Sequence, residues 1–559
     1  MKKKVLTKAL SLALCAFMTV PAVACSSGGG GGDGEKVDSN KTQLTVFHFF
    51  TGFGDEWLHE LADNFEEAVK DISFEDGKMG VQIHPKGDVR DFTSGQMKSS
   101  EHDVFFLEGP SDFLNIMADG AVEPLDSIIE TPNADDNNQT IAEKLTEQQK
   151  NSFYYNGHYY GIPHYAGQYG LIYNKDLFDA KGFYLAAEPD EETGDVLISA
   201  TNPTKSAGPD GITGNEDDGL PRTYDEFFDL CIEIDARGVE PVCFPGMYVK
   251  QHLTGLLASL VAAHEGATQM NINHTFAGTA ENLVVFNEDG SIKFENGTPV
   301  TESLEITTEN AWQLARQEGK YYAFDFIQRL LSNTVYYNED DGENESLSHT
   351  ENQQNFLENE SLGKRPSAML VDGTWWEIEA DDVFSYMTEQ DEKYSKQNRK
   401  FGWMPLPQPT EEEAIKVASG EKKSVFYDCM NSVACIKAGL PDGVKKAALE
   451  FLKYAYTDEA LANFTYTTGA TMSVDYLDSV DRSKLNYYLT SLVNYIEKSE
   501  KVSVVSGNSF YMNKMLSYGT ANSYGSGSYT SIDRGVWDGK LSAEDYFIGH
   551  QSYYKGLAW

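Results

Sequence analysis

Residues Gly157 to Gly182, GHYYGIPHYAGQYGLIYNKDLFDAKG, limit the architecture more than any other stretch. Apolar positions alternate across Tyr169, Leu171 and Tyr173, which predicts an extended segment, and Gly157, Gly161-Ile-Pro163 and Gly170 place its bends. We read it as a strand that leaves one globular body and enters another. His164, Tyr165, Gln168 and Tyr169 cluster at the crossing instead of spreading along one core face. Clefts between domains are favoured ligand sites, so the expectation is a binding site at a hinge.

The chain has 559 residues and a mass of 62.1 kDa, more than one core usually supports, so two or more lobes are expected. Without the four lysines of its first 24 residues it carries 40 cations against 87 anions, a formal charge of -47. Such a surface repels phosphate backbones and anionic lipid headgroups, which argues against nucleic acid as a partner. Aromatic residues make up 12%, enough to supply a cleft as well as cores. Cys231, Cys243, Cys429 and Cys435 form no CxxC pair and have no histidine at metal-ligand spacing, so they read as buried free thiols, with two disulfides as the alternative.

Lys2-Lys-Lys4, an apolar run from Val5 to Val20 and small residues before Cys25 predict an export signal over 1–24. Glycines from Gly28 to Gly32 make 25–42 a flexible tether. Ala22-Val-Ala24-Cys25 resembles a bacterial lipobox, in which Cys25 would carry lipid; a soluble secreted product is the alternative.

Strands at Leu44 to Phe49, Gly80 to His84 and Asp103 to Leu107 alternate with helices at Asp55 to Lys70 and Ser111 to Ala118, which implies an α/β layer with a largely parallel sheet. Ligands bind beyond the carboxyl ends of such strands. Phe50, Thr51 and Phe53 in one loop and Glu108 in another are therefore candidate contacts. A further short apolar strand ends in Asp372-Gly373 and presents Trp375 and Trp376 beyond it, where indole faces could stack on an apolar ligand face. Phe183 to Thr201 and Asn338 to Asn359 read as surface excursions, and Lys423 to Ile436 as one strand crossing back. Thr223-Tyr-Asp-Glu226 reads as a capping box. In the glycine-rich loop Gly208 to Pro221, Asp210, Asn215, Asp217 and Asp218 offer oxygens suited to a structural calcium ion, although the EF-hand order is missing; a solvated turn is the alternative. No other cofactor is expected.

Tyr160-Gly-Ile-Pro163, Leu171-Ile-Tyr-Asn-Lys-Asp-Leu-Phe178 and Lys181-Gly182 closely resemble the extracellular solute-binding protein family 1, the sugar-binding subunits of ABC importers. Met117-Ala-Asp-Gly-Ala-Val-Glu-Pro-Leu-Asp126, Ala368-Met369 with Gly373 and Trp375, and Phe401-Gly-Trp-Met-Pro-Leu-Pro407 extend the resemblance in order along the chain. It implies a two-lobed, periplasmic-binding-protein-like α/β fold of type II, each lobe a mostly parallel sheet flanked by helices, joined by hinge strands. We place lobe 1 at 43–166 plus 431–478 and lobe 2 at 167–430 plus 479–559. The resemblance gives Trp375 the stacking role and makes Phe244, Tyr248 and Tyr529 candidates. With His164, Tyr165, Gln168, Asp372 and Trp376 they complete the expected site.

The implied activity is capture of a carbohydrate by hinge closure for a membrane permease. The protein would be a monomer tethered by its lipid outside the cytoplasmic membrane, with no enzymatic step. The same role for a peptide or polyamine is the first alternative. An exported glycoside hydrolase is the second, but no acid here stands in a motif that assigns catalytic roles.

Overall fold

A computed structural model describes residues 37–109, 113–430, 432–503, 535 and 541–556. Two sheets organise it. The first has five strands in the order Val81–Asp88, Thr42–Phe49, Val104–Leu107, Val433–Ile436, Ile162–Pro163. All run one way except Val433–Ile436. The second has four, in the order Phe401–Met404, Tyr169–Asn174, Ser367–Gly373, Glu240–Cys243, and only Tyr169–Asn174 is reversed. In each sheet the reversed strand is the one that has just arrived from the other lobe.

Side-chain alternation explains why both sheets are covered on two faces. Val104 and Phe106 enter one core while Phe105 and Leu107 enter another. Leu171 and Tyr173 face the second lobe's main core, and Ile172 faces the opposite side with Leu370 and Trp403. The helix Glu56–Ala68 buries Trp57, Leu58, Ala62 and Phe65 on the first sheet. The C-terminal helix Ala543–Lys555, opened by a capping box between Ser542 and Asp545, packs against the second lobe.

Four expectations change. Lys423 to Ile436 is two strands, Val425–Asp428 and Val433–Ile436, because the crossing itself breaks the ladder. Asn338 to Asn359 is no loose excursion: His349–Glu358 is a helix that buries Asn352, Gln353, Phe356 and Leu357. Within Phe183 to Thr201, Phe183, Tyr184, Leu185 and Leu197 are core residues. Thr223 caps the helix Tyr224–Ala236 by accepting from the Glu226 amide at 3.2 Å, but the Glu226 carboxylate turns to the Arg222 amide at 2.6 Å, so the box is not reciprocal.

Among the described residues Cys231, Cys243, Cys429 and Cys435 are free, and all but Cys429 are buried. No described helix is long and apolar enough to cross a membrane.

Candidate functional site

The carboxyl ends of Thr42–Phe49 and Val104–Leu107 in one lobe, and of Ser367–Gly373 in the other, converge on a seam. Gly52 touches the far lobe directly: a Cβ there would sit 2.5 Å from Cγ of Glu379. Tyr165 is buried, donates its hydroxyl to Glu108, and meets Phe53 edge-on at 5.1 Å. Phe50 is exposed and lies beside His48, and Thr51 is half-buried with no partner for Oγ1.

Trp375 supplies the second wall. Its indole lies across two backbones that only glycine allows it to approach, since a Cβ at Gly167 or Gly373 would fall 2.7 or 2.2 Å from the ring. Tyr169 meets it edge-on at 5.0 Å, and both rings are half-buried. The turn that carries it is held from both sides: the Thr374 amide donates to the Gln168 carbonyl at 2.9 Å, and the Tyr488 hydroxyl donates to the Thr374 carbonyl at 2.9 Å. The position of the turn that bears the indole is thereby fixed by the fold itself.

Behind Trp375 lies a carboxylate group. Asp372 is buried, 3.5 Å from Nε2 of His252. Gln353 Nε2 donates both to Asp372, at 3.0 Å, and to Glu379, at 2.9 Å. His349 Nε2 stands 4.0 Å from Glu379. Burial pushes Asp372 upward, but the bonds from His252, Gln353 and its neighbouring amide outweigh burial and hold it below the usual range. Burial, with the charge of Asp372 added, pushes Glu379 up to about 8. Burial likewise raises Glu108 to about 7, against the opposing Tyr165 bond. The seam therefore keeps Asp372 ionised and holds protons on the other two acids near neutral pH.

Gln168 is buried in the crossing and accepts the Tyr427 amide at 2.8 Å. Asp428 ties the crossings together: Oδ1 accepts the Gly167 and Met430 amides, both at 3.2 Å, and Oδ2 accepts the Ser473 hydroxyl at 2.5 Å.

Three predicted contacts are core residues instead. His164 is packed among Trp57, Phe106 and Phe464 in the first lobe, beside a cavity of about 30 Å³ with room for one water, and burial lowers its pKa to about 3. Phe244 is fully buried and stacks on Tyr337. Trp376 is fully buried against Phe356, Phe401 and Tyr488. In each case a local tertiary core claims the ring that its loop position had suggested was free. Tyr248 is half-buried and edge-on to His349 at 5.4 Å. Tyr529 and Cys25 lie outside the described residues.

In the Gly208 to Pro221 loop the acids bond within the loop. Asn215 Nδ2 reaches both Asp210 oxygens at 3.1 and 2.9 Å, Asp217 accepts the Asp210 amide at 3.1 Å, and Asp218 accepts the Gly214 amide at 2.7 Å. Among the described residues no group of three or more His, Cys, Asp or Glu side chains is placed to hold a metal ion.

Residues the sequence reading passed over are Glu379, His349, Gln353 and His252. His349 and Gln353 stand one turn apart on the helix His349–Glu358, a spacing visible in the sequence once that helix is recognised.

The family model for bacterial extracellular solute-binding proteins matches residues 54–462, most of the chain, and the protein belongs to that family. A chitin oligosaccharide binding protein shares the fold at TM-score 0.51 and 16% identity, over 92% of this chain and 98% of its own. A structure described for xylan utilization by Caldanaerobius polysaccharolyticus gives 0.52 and 14%, over 91% and 99%. A family 1 extracellular solute-binding protein from Bifidobacterium longum subsp. infantis gives 0.50 and 15%, over 93% and 100%. At such identities these likenesses show the fold. Among curated protein sequences nothing matches.

Proposed function

We propose that this protein is the lipid-anchored receptor of an ABC importer, which closes two lobes on a carbohydrate and delivers it to permease subunits. The observation that carries this reading is the half-buried Trp375 held over Gly167 at the seam, two residues beyond the strand that ends in Asp372 and Gly373. An indole presents an apolar, electron-rich face to a sugar ring, while carboxylates accept from its hydroxyls. The named oligosaccharide binder and the xylan-utilization structure, which share the fold, support a carbohydrate. Sheet membership supports a lobe division at 43–166 plus 431–478 and 167–430 plus 479–559. Closure is a hinge motion, driven because ligand touches both lobes only in the shut state.

Glu108, Asp372 and Glu379 also favour a second reading, the same receptor role for a cationic solute such as a polyamine. A thermal-shift panel of oligosaccharides, peptides and polyamines separates the two. A sugar at a hundred times its Kd stabilises by about 2.7 kcal/mol and is recovered unaltered. Trp375→Ala abolishes that shift and leaves the unliganded protein folded. A shift with polyamine or peptide and none with any sugar would overturn the carbohydrate reading, and altered sugar would point to a hydrolase.

A further inference from the structure

Two firmly held pieces meet at Gly52. In the first lobe, the loop from Phe50 to Gly54 is pinned by Phe53, whose ring is edge-on to Tyr165 at 5.1 Å and to Phe464 at 5.6 Å. The Gly54 amide donates to the Thr51 carbonyl at 3.1 Å and folds the loop on itself. In the second lobe, Glu379 ends the short helix Trp376–Glu379, rooted in its core by the fully buried Trp376. Oε2 of Glu379 accepts from the buried Gln353 at 2.9 Å, so swinging the side chain aside breaks a hydrogen bond to an amide that water does not reach.

The two pieces interlock. A Cβ at Gly52 would lie 2.5 Å from Cγ of Glu379, 3.4 Å from Cδ and 3.3 Å from Oε1. Carbon atoms in contact settle about 3.5–4.0 Å apart, so a single methyl group at position 52 prevents the lobes from meeting as they do. The backbone does not call for glycine here: Gly54 stands in the left-handed region at φ 67°, and Gly52 does not. What calls for it is the other lobe. Near neutral pH the Glu379 carboxyl carries its proton, so setting it against Gly52 confines no unpaired charge.

Resting on the receptor reading, in which two lobes shut about a hinge, we infer that Gly52 and Glu379 form the closing contact. Gly52 is a positioning residue: its missing side chain is the socket that receives Glu379 and sets how far the lobes shut. The contact exists only while the lobes meet, so bulk added at position 52 penalises the shut state and leaves an open one untouched. A ligand that touches both lobes draws on the shut population, and its apparent affinity falls with that population.

A full chain carrying Gly52→Cys and Glu379→Cys tests the contact without any ligand. A sulfur standing where Cγ of Glu379 stands is within bonding reach of one on residue 52. Oxidised glutathione is expected to join the two lobes, seen as an intramolecular disulfide between those positions by peptide mass spectrometry. Absence of that disulfide overturns the inference. Calorimetric titration with neutral xylo- and chito-oligosaccharides then reads what the contact does. Gly52→Ala is expected to weaken binding about tenfold or more, whereas in a chain that already carries Glu379→Ala the same change weakens it less than about threefold. No loss from Gly52→Ala, or an equal loss in both backgrounds, shows that Gly52 does not make room for Glu379 in the shut state and overturns the inference. Binding of no glycan by the unaltered chain, with the disulfide formed, overturns the carbohydrate reading and leaves the closing contact standing.

Discussion

Asp428→Ala tests the hinge directly. Asp428 ends the strand Val425–Asp428 and reaches the amide of Gly167 on the outgoing crossing, the amide of Met430 on the return crossing and the hydroxyl of Ser473 beside them. Truncation leaves the buried Gly167 amide without its acceptor, at about 1–3 kcal/mol. The Met430 amide belongs to a half-buried residue that water can reach, so it adds less. Ser473 Oγ still accepts from Gln149 Nε2 at 3.0 Å, but its proton loses a charged acceptor, worth about 1.5–3 kcal/mol. Relief of burying a carboxyl group, whose pKa burial raises, offsets part of this. The net expectation is about 2–4 kcal/mol. Asp428→Asn keeps an oxygen for both amides and loses only the Ser473 bond, at about 1–2 kcal/mol. Urea midpoints followed by tryptophan fluorescence measure both, and small-angle scattering reports whether the unliganded lobes spread in the Ala variant. If the two substitutions cost the same within about 0.5 kcal/mol, or Asn costs more, Asp428 does not tie the crossings through Oδ1 and the reasoning fails.

Glu379, raised to about 8, and Glu108, raised to about 7, bind protons in the folded protein that their ordinary value of 4.5 would release. Stability therefore falls as pH rises from about 4.5 through 8, the folded state being the one with more protons bound; Glu379→Gln should flatten that slope in pH-dependent melting. Lys144 is fully buried between Asp136 at 2.7 Å and Asp458 at 2.5 Å, with the Tyr456 carbonyl at 3.0 Å. Lys144→Met strands a buried carboxylate and should cost about 3–5 kcal/mol in chemical denaturation. Stripping the protein with EGTA should leave its melting temperature unchanged, because the Asp210, Asp217 and Asp218 carboxylates already accept from the loop's own groups; a drop of several degrees would assign calcium to Gly208–Pro221.

The architecture was legible because it is written in short-range patterns. Strands read at Leu44 to Phe49 and Asp103 to Leu107 are found at Thr42–Phe49 and Val104–Leu107, the helix read over Asp55 to Lys70 is found at Glu56–Ala68, and the glycines around Tyr169 marked the place where the chain changes lobes. Which aromatic faces the seam was not legible, because neighbouring residues with the same chemistry have opposite fates. Trp375 is half-exposed and Trp376 fully buried, and what decides between them is the set of rings waiting on one side: Phe356 from a helix read as a loop, Phe401 from a strand some 25 residues on, and Tyr488 from beyond a further crossing. The acids show the same limit from the other direction. In a chain with 87 Asp and Glu, nothing local distinguishes Glu379 from a solvated carboxylate. Its character comes from Gln353, Asp372 and Gly52, brought from three separate stretches. Chemistry that exists only where two lobes meet is a property of long-range register, and a residue's type and nearest neighbours carry almost none of it.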